Sequence, residues 1–168
     1  MRYRLLIILT LACFGANAQL IHVAGSKAIG LNGGYVTNGF NVSSRVSLYL
    51  KSDITFRGSF DYEGVKFKLS NAYSLTVNPD IMYTLKTFGE NFFLSAKAGL
   101  ITGAEFLSNS ILDKSESQFI IGENLGLCAE YYVSSKIMLN LDVDQRFFQM
   151  SKLGNASFTV KLGVNYNF

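Results

Sequence analysis

The sequence predicts an all-β fold, an eight-stranded antiparallel up-and-down transmembrane β-barrel. Three observations predict it. Hydrophobicity alternates with a period of two, the mark of strands with two unlike faces. The composition has one proline but 15 glycines, 9 tyrosines and 14 phenylalanines, which suits strands joined by tight turns. Beyond the first segment no stretch of eighteen apolar residues occurs, which excludes a helical membrane protein.

That first segment reads as an export signal rather than part of the fold. Arg2 and Arg4 form a positive region, Leu5 to Phe14 an apolar stretch too short to span a bilayer, and Ala16-Asn17-Ala18 a small-x-small cleavage site. Residues 1–18 are therefore expected to be removed, with Gln19 as the new N-terminus. A lipid-modified Cys13 is the rival, but Thr10-Leu11-Ala12 precedes it poorly. Residues 19–168 make one domain. Without Arg2 and Arg4, thirteen basic residues face twelve acidic ones, a net charge of +1. Direct nucleic-acid binding needs a concentrated basic surface and is not expected. Cys128 is left alone once Cys13 departs, so no internal disulfide is expected.

The strands follow in order. Ile29, Leu31 and Tyr35 mark one near 27–36. Val42, Val46, Leu48 and Leu50 mark 42–51, with Ser43, Arg45, Ser47 and Lys51 opposite. Ile54, Phe56, Phe60 and Tyr62 open a third strand facing Arg57, Ser59, Asp61 and Glu63. Past Gly64, Val65 and Phe67 reverse the parity, which suggests a β-bulge. Tyr73, Leu75, Val77, Ile81, Tyr83 and Leu85 mark 73–86. Phe92, Leu94, Ala96, Ala98 and Leu100 mark 92–106, and Phe119, Ile121, Leu125, Leu127 and Tyr131 mark 118–132. Ile137, Leu139, Leu141, Val143 and Phe147 mark 137–148. The clearest alternation is the last, where Phe158, Val160, Leu162, Val164, Tyr166 and Phe168 interleave with Ser157, Thr159, Lys161, Gly163, Asn165 and Asn167. Eight is an even count, as bacterial outer-membrane barrels require.

Starting the chain in the periplasm puts the links 37–41, 68–72, 107–117 and 149–155 outside, and 51–53, 87–91 and 133–136 in the periplasm. The longest, Leu107 to Ser117, is polar and falls outside, the expected asymmetry and a place for partner contact. Two residues resist the pattern. Glu123 lies on an apolar parity, and a bulge near Gly122 or Gly126 would turn it inward. Pro79 sits within a strand, where a bulge or an end of pairing must accommodate it.

An eight-stranded barrel has room inside only for its own side chains. The polar parity carries Arg45, Arg57, Asp61, Glu63, Lys97, Glu130, Asp142, Asp144, Arg146 and Lys161. These are expected to form a paired, filled interior without a general pore, while the apolar parity meets lipid. Phe88, Phe92, Tyr131, Tyr166 and Phe168 would ring the periplasmic side, and Tyr35, Tyr73, Phe106, Phe119, Phe147 and Phe158 the outside.

The search for chemistry assigns no catalytic, cofactor-binding or metal-ligating residue. His22, the only histidine, precedes the first strand and reads as a residue of a mobile tail. Asp142 and Asp144 share a strand face, but with Arg146 beside them they read as an ion network rather than a catalytic dyad. Gly30-Leu31-Asn32-Gly33-Gly34 lies in a strand and lacks the helix a phosphate loop requires. Its glycines are expected to relieve crowding or curve the wall.

The end Val164-Asn165-Tyr166-Asn167-Phe168 resembles the C-terminal signal of outer-membrane barrels, which implies recognition by the barrel-insertion machinery. From Phe92 onward the chain also resembles the TraO family of conjugative transposons in Bacteroidetes-type bacteria. The similarity runs through Ala98-Gly99-Leu100, Ser115-Glu116-Ser117-Gln118-Phe119, Glu130-Tyr131-Tyr132-Val133-Ser134-Ser135, Asp144-Gln145-Arg146 and the Asn-Phe end. It implies an envelope component of a DNA-transfer apparatus, with other conjugative-transfer proteins as partners and no catalytic residues. The alternatives are a stand-alone structural or adhesive barrel of the OmpX or OmpA type, and a lipid-modifying barrel enzyme, which the scarcity of histidine disfavours.

Overall fold

The structure, a computed structural model, describes residues 22–67, 70–109 and 114–168; the expected export signal lies outside the described residues. Eight antiparallel strands follow one another around a closed barrel. They are β1 (Lys27–Val36), β2 (Gly39–Tyr49), β3 (Ile54–Phe67), β4 (Ser70–Phe88), β5 (Phe92–Asn109), β6 (Lys114–Tyr132), β7 (Ile137–Phe148) and β8 (Ala156–Asn167). Each pairs with its chain neighbours, and β1 closes on β8 from Ala28↔Asn167 to Val36↔Thr159. The described chain starts and finishes at the same end of the barrel, here the near end.

Alternation decides which way each side chain points. In β7, Asn140, Asp142, Asp144 and Arg146 turn inward and are buried, while Ile137, Leu139, Leu141 and Phe147 are exposed on the outer wall. This inverts a soluble protein, since the barrel interior is polar and its exterior apolar. Thr37 and Asn38 make the two-residue β1–β2 turn, and the positive φ of Asn38 (63°) is a conformation that asparagine tolerates. The inward glycines of β1 permit close approach. A Cβ on Gly34 would run into the Val160 carbonyl and the Lys161 Cα of β8.

Several expectations change. The segment 107–117 is not a long loop: β5 and β6 stay paired through Leu107↔Glu116, Ser108↔Ser115 and Asn109↔Lys114. Residues 110–113, between them, lie outside the described residues. No bulge occurs at Gly64, because the β2–β3 and β3–β4 ladders run unbroken through it and carry Val65 to the inward parity at the rim. The register shift lies instead between Thr84 and Lys86. Glu123 is not turned inward. Its ladders to Leu100 and Phe147 are continuous, so it stays on the outer wall. Pro79 sits opposite Gly58, and the β4–β5 ladder skips Asn78 and Pro79 before resuming in the same register at Asp80↔Gly99.

Strand lengths are unequal. The β6–β7 ladder begins at Gly122↔Phe148, and Gln149 N–H adds a bond to the Ile121 carbonyl. Beyond that, β6 from Lys114 to Ile120 is paired on its β5 side. At a rise of 3.3 Å per residue, this piece extends the β5–β6 hairpin about 23 Å along the strand past the end of β7.

Candidate functional site

Three regions concentrate unusual side chains: the lumen, the near mouth and the far end. In the lumen, all ten charges expected on the polar parity are buried. Asp142 of β7 gathers Arg45 of β2 (2.7 Å), Arg57 of β3 (3.1 Å) and Lys97 of β5 (3.5 Å). It also accepts from Asn32 of β1 and Asn140. Lys97 reaches on to Asp144 (2.7 Å), and Asp144 to Lys161 (3.8 Å). Lys161 and Arg146 then share Asp61 (3.1 and 2.6 Å), and Arg146 also binds Glu63. Burial of so many ions is tolerable only because each meets its opposite within this chain. The network leaves a central void of about 10 Å³, lined by Arg45, Arg57, Asp80, Lys97, Asp142 and Lys161 among others. Asp142 and Asp144 are thus members of an ion network.

The near mouth overturns the reading of His22 as a tail residue. Its side chain is buried, stacked on Phe93 with ring centroids 4.1 Å apart and planes 7° from parallel. Tyr49 and Tyr132 enclose it from two other sides. Nδ1 donates to the Ser52 carbonyl, and Nε2 faces a Glu130 carboxylate oxygen, each at 3.2 Å. Glu130 is also bound by Arg57 at 2.7 Å, so His22 joins the near end of the ion chain. Tyr49 and Tyr132 hydroxyls lie 3.0 Å apart, and Met138 packs beneath them. The sequence signal that could have found this plug is faint. Tyr49, Phe93, Tyr132 and Met138 are large apolar residues on otherwise polar parities, all at one end.

Because it is held by a ring stack and two polar contacts, His22→Ala is expected to destabilise the barrel by about 2 kcal/mol. Urea unfolding followed by heat-modifiable gel mobility measures this. A tail residue would show no change.

At the far end, the 149–155 link folds over the mouth. Buried Glu105 accepts from Ser151 Oγ (2.7 Å) and Lys152 N–H (3.2 Å), and Lys152 Nζ binds Glu116. A cavity of about 90 Å³ lies beneath, between Val36, Glu63, Glu105, Ile120, Phe148 and Leu153. The outer wall here carries one aromatic per strand: Tyr35, Phe40, Tyr62, Tyr73, Phe106, Phe119, Phe147 and Phe158. Six were expected there, and Phe40 and Tyr62 complete the ring. Glu123 neighbours Phe147 in this band, so its carboxylate sits at the edge of the apolar wall rather than midway down it.

No family model matches the chain, and no curated protein matches it. Solved structures do. The N-terminal β-barrel domain of Pseudomonas aeruginosa OprF aligns at 19% identity over 86% of this chain and 98% of its own, with a TM-score of 0.66. Ail, the attachment invasion locus protein of Yersinia pestis, aligns at 16% over 87% and 100%, TM-score 0.62. Neisserial surface protein A aligns at 14% over 86% and 98%, TM-score 0.66. The shared property is the fold, a closed eight-stranded barrel of the outer-membrane kind.

Proposed function

We propose that this protein is a non-enzymatic barrel of the bacterial outer membrane that works by contact at its projecting end rather than by transport. The near end then faces the periplasm and the far end the outside. The apolar outer wall with its aromatic band supports lipid contact. The filled lumen argues against a general pore, and both ring nitrogens of His22 are engaged, by the Ser52 carbonyl and the Glu130 carboxylate.

The carrying observation is the β7-facing backbone edge of β6 at Phe119 and Ser117, beyond the end of the β6–β7 ladder, where no strand pairs among the described residues. Ile121 gives its carbonyl toward β7, so Phe119 and Ser117, two and four residues on, turn their N–H and C=O the same way. An exposed strand edge of this kind accepts an extended segment of another protein by strand addition. This favours the stand-alone structural or adhesive barrel. A second reading rests on the TraO resemblance, which covers β5 and β6: the partners would be other conjugative-transfer proteins.

The test uses outer-membrane fractions and planar bilayers. A heat-modifiable band in the outer membrane, no stable large conductance, and a cross-link from a photoreactive residue at Phe119 in intact cells are the expected results. Ser117→Pro removes one edge N–H and should abolish that cross-link while leaving the band. A soluble periplasmic protein or a large steady conductance overturns the proposal. Unimpaired DNA transfer in a clean deletion removes the second reading.

A further inference from the structure

The outward positions at the far end form a cross-strand row. Tyr35 pairs with Phe40, Phe40 with Gly64, Gly64 with Tyr73, and Tyr73 with Phe106. Four rings therefore flank one position without a side chain. Tyr73 and Phe106 stack at 5.0 Å, while the Phe40 ring lies over Gly64 and leans on Tyr62 at 6.0 Å, so an opening is left between Phe40 and Tyr73. What remains is a cleft of about 310 Å³, within the range of small-molecule sites. Tyr62 lies two residues below Gly64 along β3 and Lys66 two above; both line the cleft.

We propose that this slot binds one phosphate-bearing lipid of the outer leaflet, its acyl chain between the rings and its phosphate against the Lys66 ammonium. The inference rests on the membrane reading above. Two features select the occupant. The slot is continuous with the exposed apolar wall, so a chain already in the bilayer reaches it without crossing water. Its rim is cationic: Lys66 is exposed and lines it, and no acidic residue does among the described residues. A basic side chain at headgroup depth attracts an anionic lipid by about 1 kcal/mol, and ordering the chain in a preformed cleft adds selectivity.

The experiment places the full barrel in nanodiscs of equal parts phosphatidylglycerol and phosphatidylcholine with identical chains, and reads the retained lipid by native mass spectrometry. The wild type is expected to keep phosphatidylglycerol in excess. Lys66→Gln leaves the wall untouched and should reduce that excess about fivefold, the effect of losing one such charge. Gly64→Leu fills the slot. Its Cβ takes the place where the Phe40 ring lies over Gly64, so the leucine displaces that ring toward the slot, and none of its three nearest atoms is backbone. It should eliminate retention of either lipid at the site. Equal retention by the wild type, or an excess that survives both variants, overturns the slot. A chain that fails to enter nanodiscs with heat-modifiable mobility overturns the membrane reading instead.

Discussion

Asp142→Leu is expected to cost the barrel about 4 kcal/mol, the scale of removing one partner from a buried ion cluster. The carboxylate is the meeting point of Arg45, Arg57 and Lys97, and it takes two asparagine amides besides. Leucine leaves three cations facing one another in a space too small to hydrate them. Arg57 retains Glu130 and Lys97 retains Asp144, but Arg45 has no second carboxylate among the described ion pairs. The loss should therefore fall most heavily on Arg45. Adding Arg45→Met to Asp142→Leu should restore part of the stability, a non-additive result that identifies the pair. Urea midpoints in detergent or vesicles measure it. A shift below about 1 kcal/mol, the scale of a surface ion pair, would mean that water reaches the cluster.

Gly34→Val should be the most damaging glycine substitution at the seam where the barrel closes. A Cβ there meets backbone of β8, the Val160 carbonyl and the Lys161 Cα, which cannot rotate aside. The strands must separate, and the cost is about 3 kcal/mol, the upper part of the range for overpacking. Gly33→Val is the internal control. Its Cβ points to the outer wall and comes no closer than 3.9 Å to the Asn41 carbonyl, so a valine fits. Folding into vesicles, read by the heat-modifiable band, should fail or slow for Gly34→Val and proceed for Gly33→Val. Equal behaviour of the two would show that the seam has slack.

Much of this architecture was legible in the residues because lipid and a crowded lumen make opposite demands on alternate positions. β1 and β7 span the expected residues. β4, β5 and β6 run longer than expected because their far ends leave the apolar band. Ser108, Asn109, Lys114 and Ser115 look like loop when strands are sought by hydrophobicity, yet backbone pairing continues through them. The cost of a charge on an apolar parity suggests a bulge that turns Glu123 inward; its place beside Phe147 removes that cost without one. The lumen ions were legible as a set, but not their partners, since these sit on strands that are not neighbours. His22 was invisible because it belongs to no alternating run, and only the three-dimensional closure brings Phe93, Tyr49, Tyr132 and Glu130 around it.

The ion chain has a consequence for how the barrel assembles. Asp142 on β7 takes its cations from β2, β3 and β5, and Arg146 on the same strand takes Asp61 and Glu63 from β3. None of these contacts spans neighbouring strands, so none can form while the sheet is still an open ribbon. A partly zipped chain holds its hydrogen-bonded hairpins but leaves Asp142 and Arg146 without these partners. Their mutual attraction arrives in one step, when β1 meets β8. Closure is thus the cooperative event, and half-closed species gain from the interior only what adjacent strands offer, such as Lys161 against Asp144.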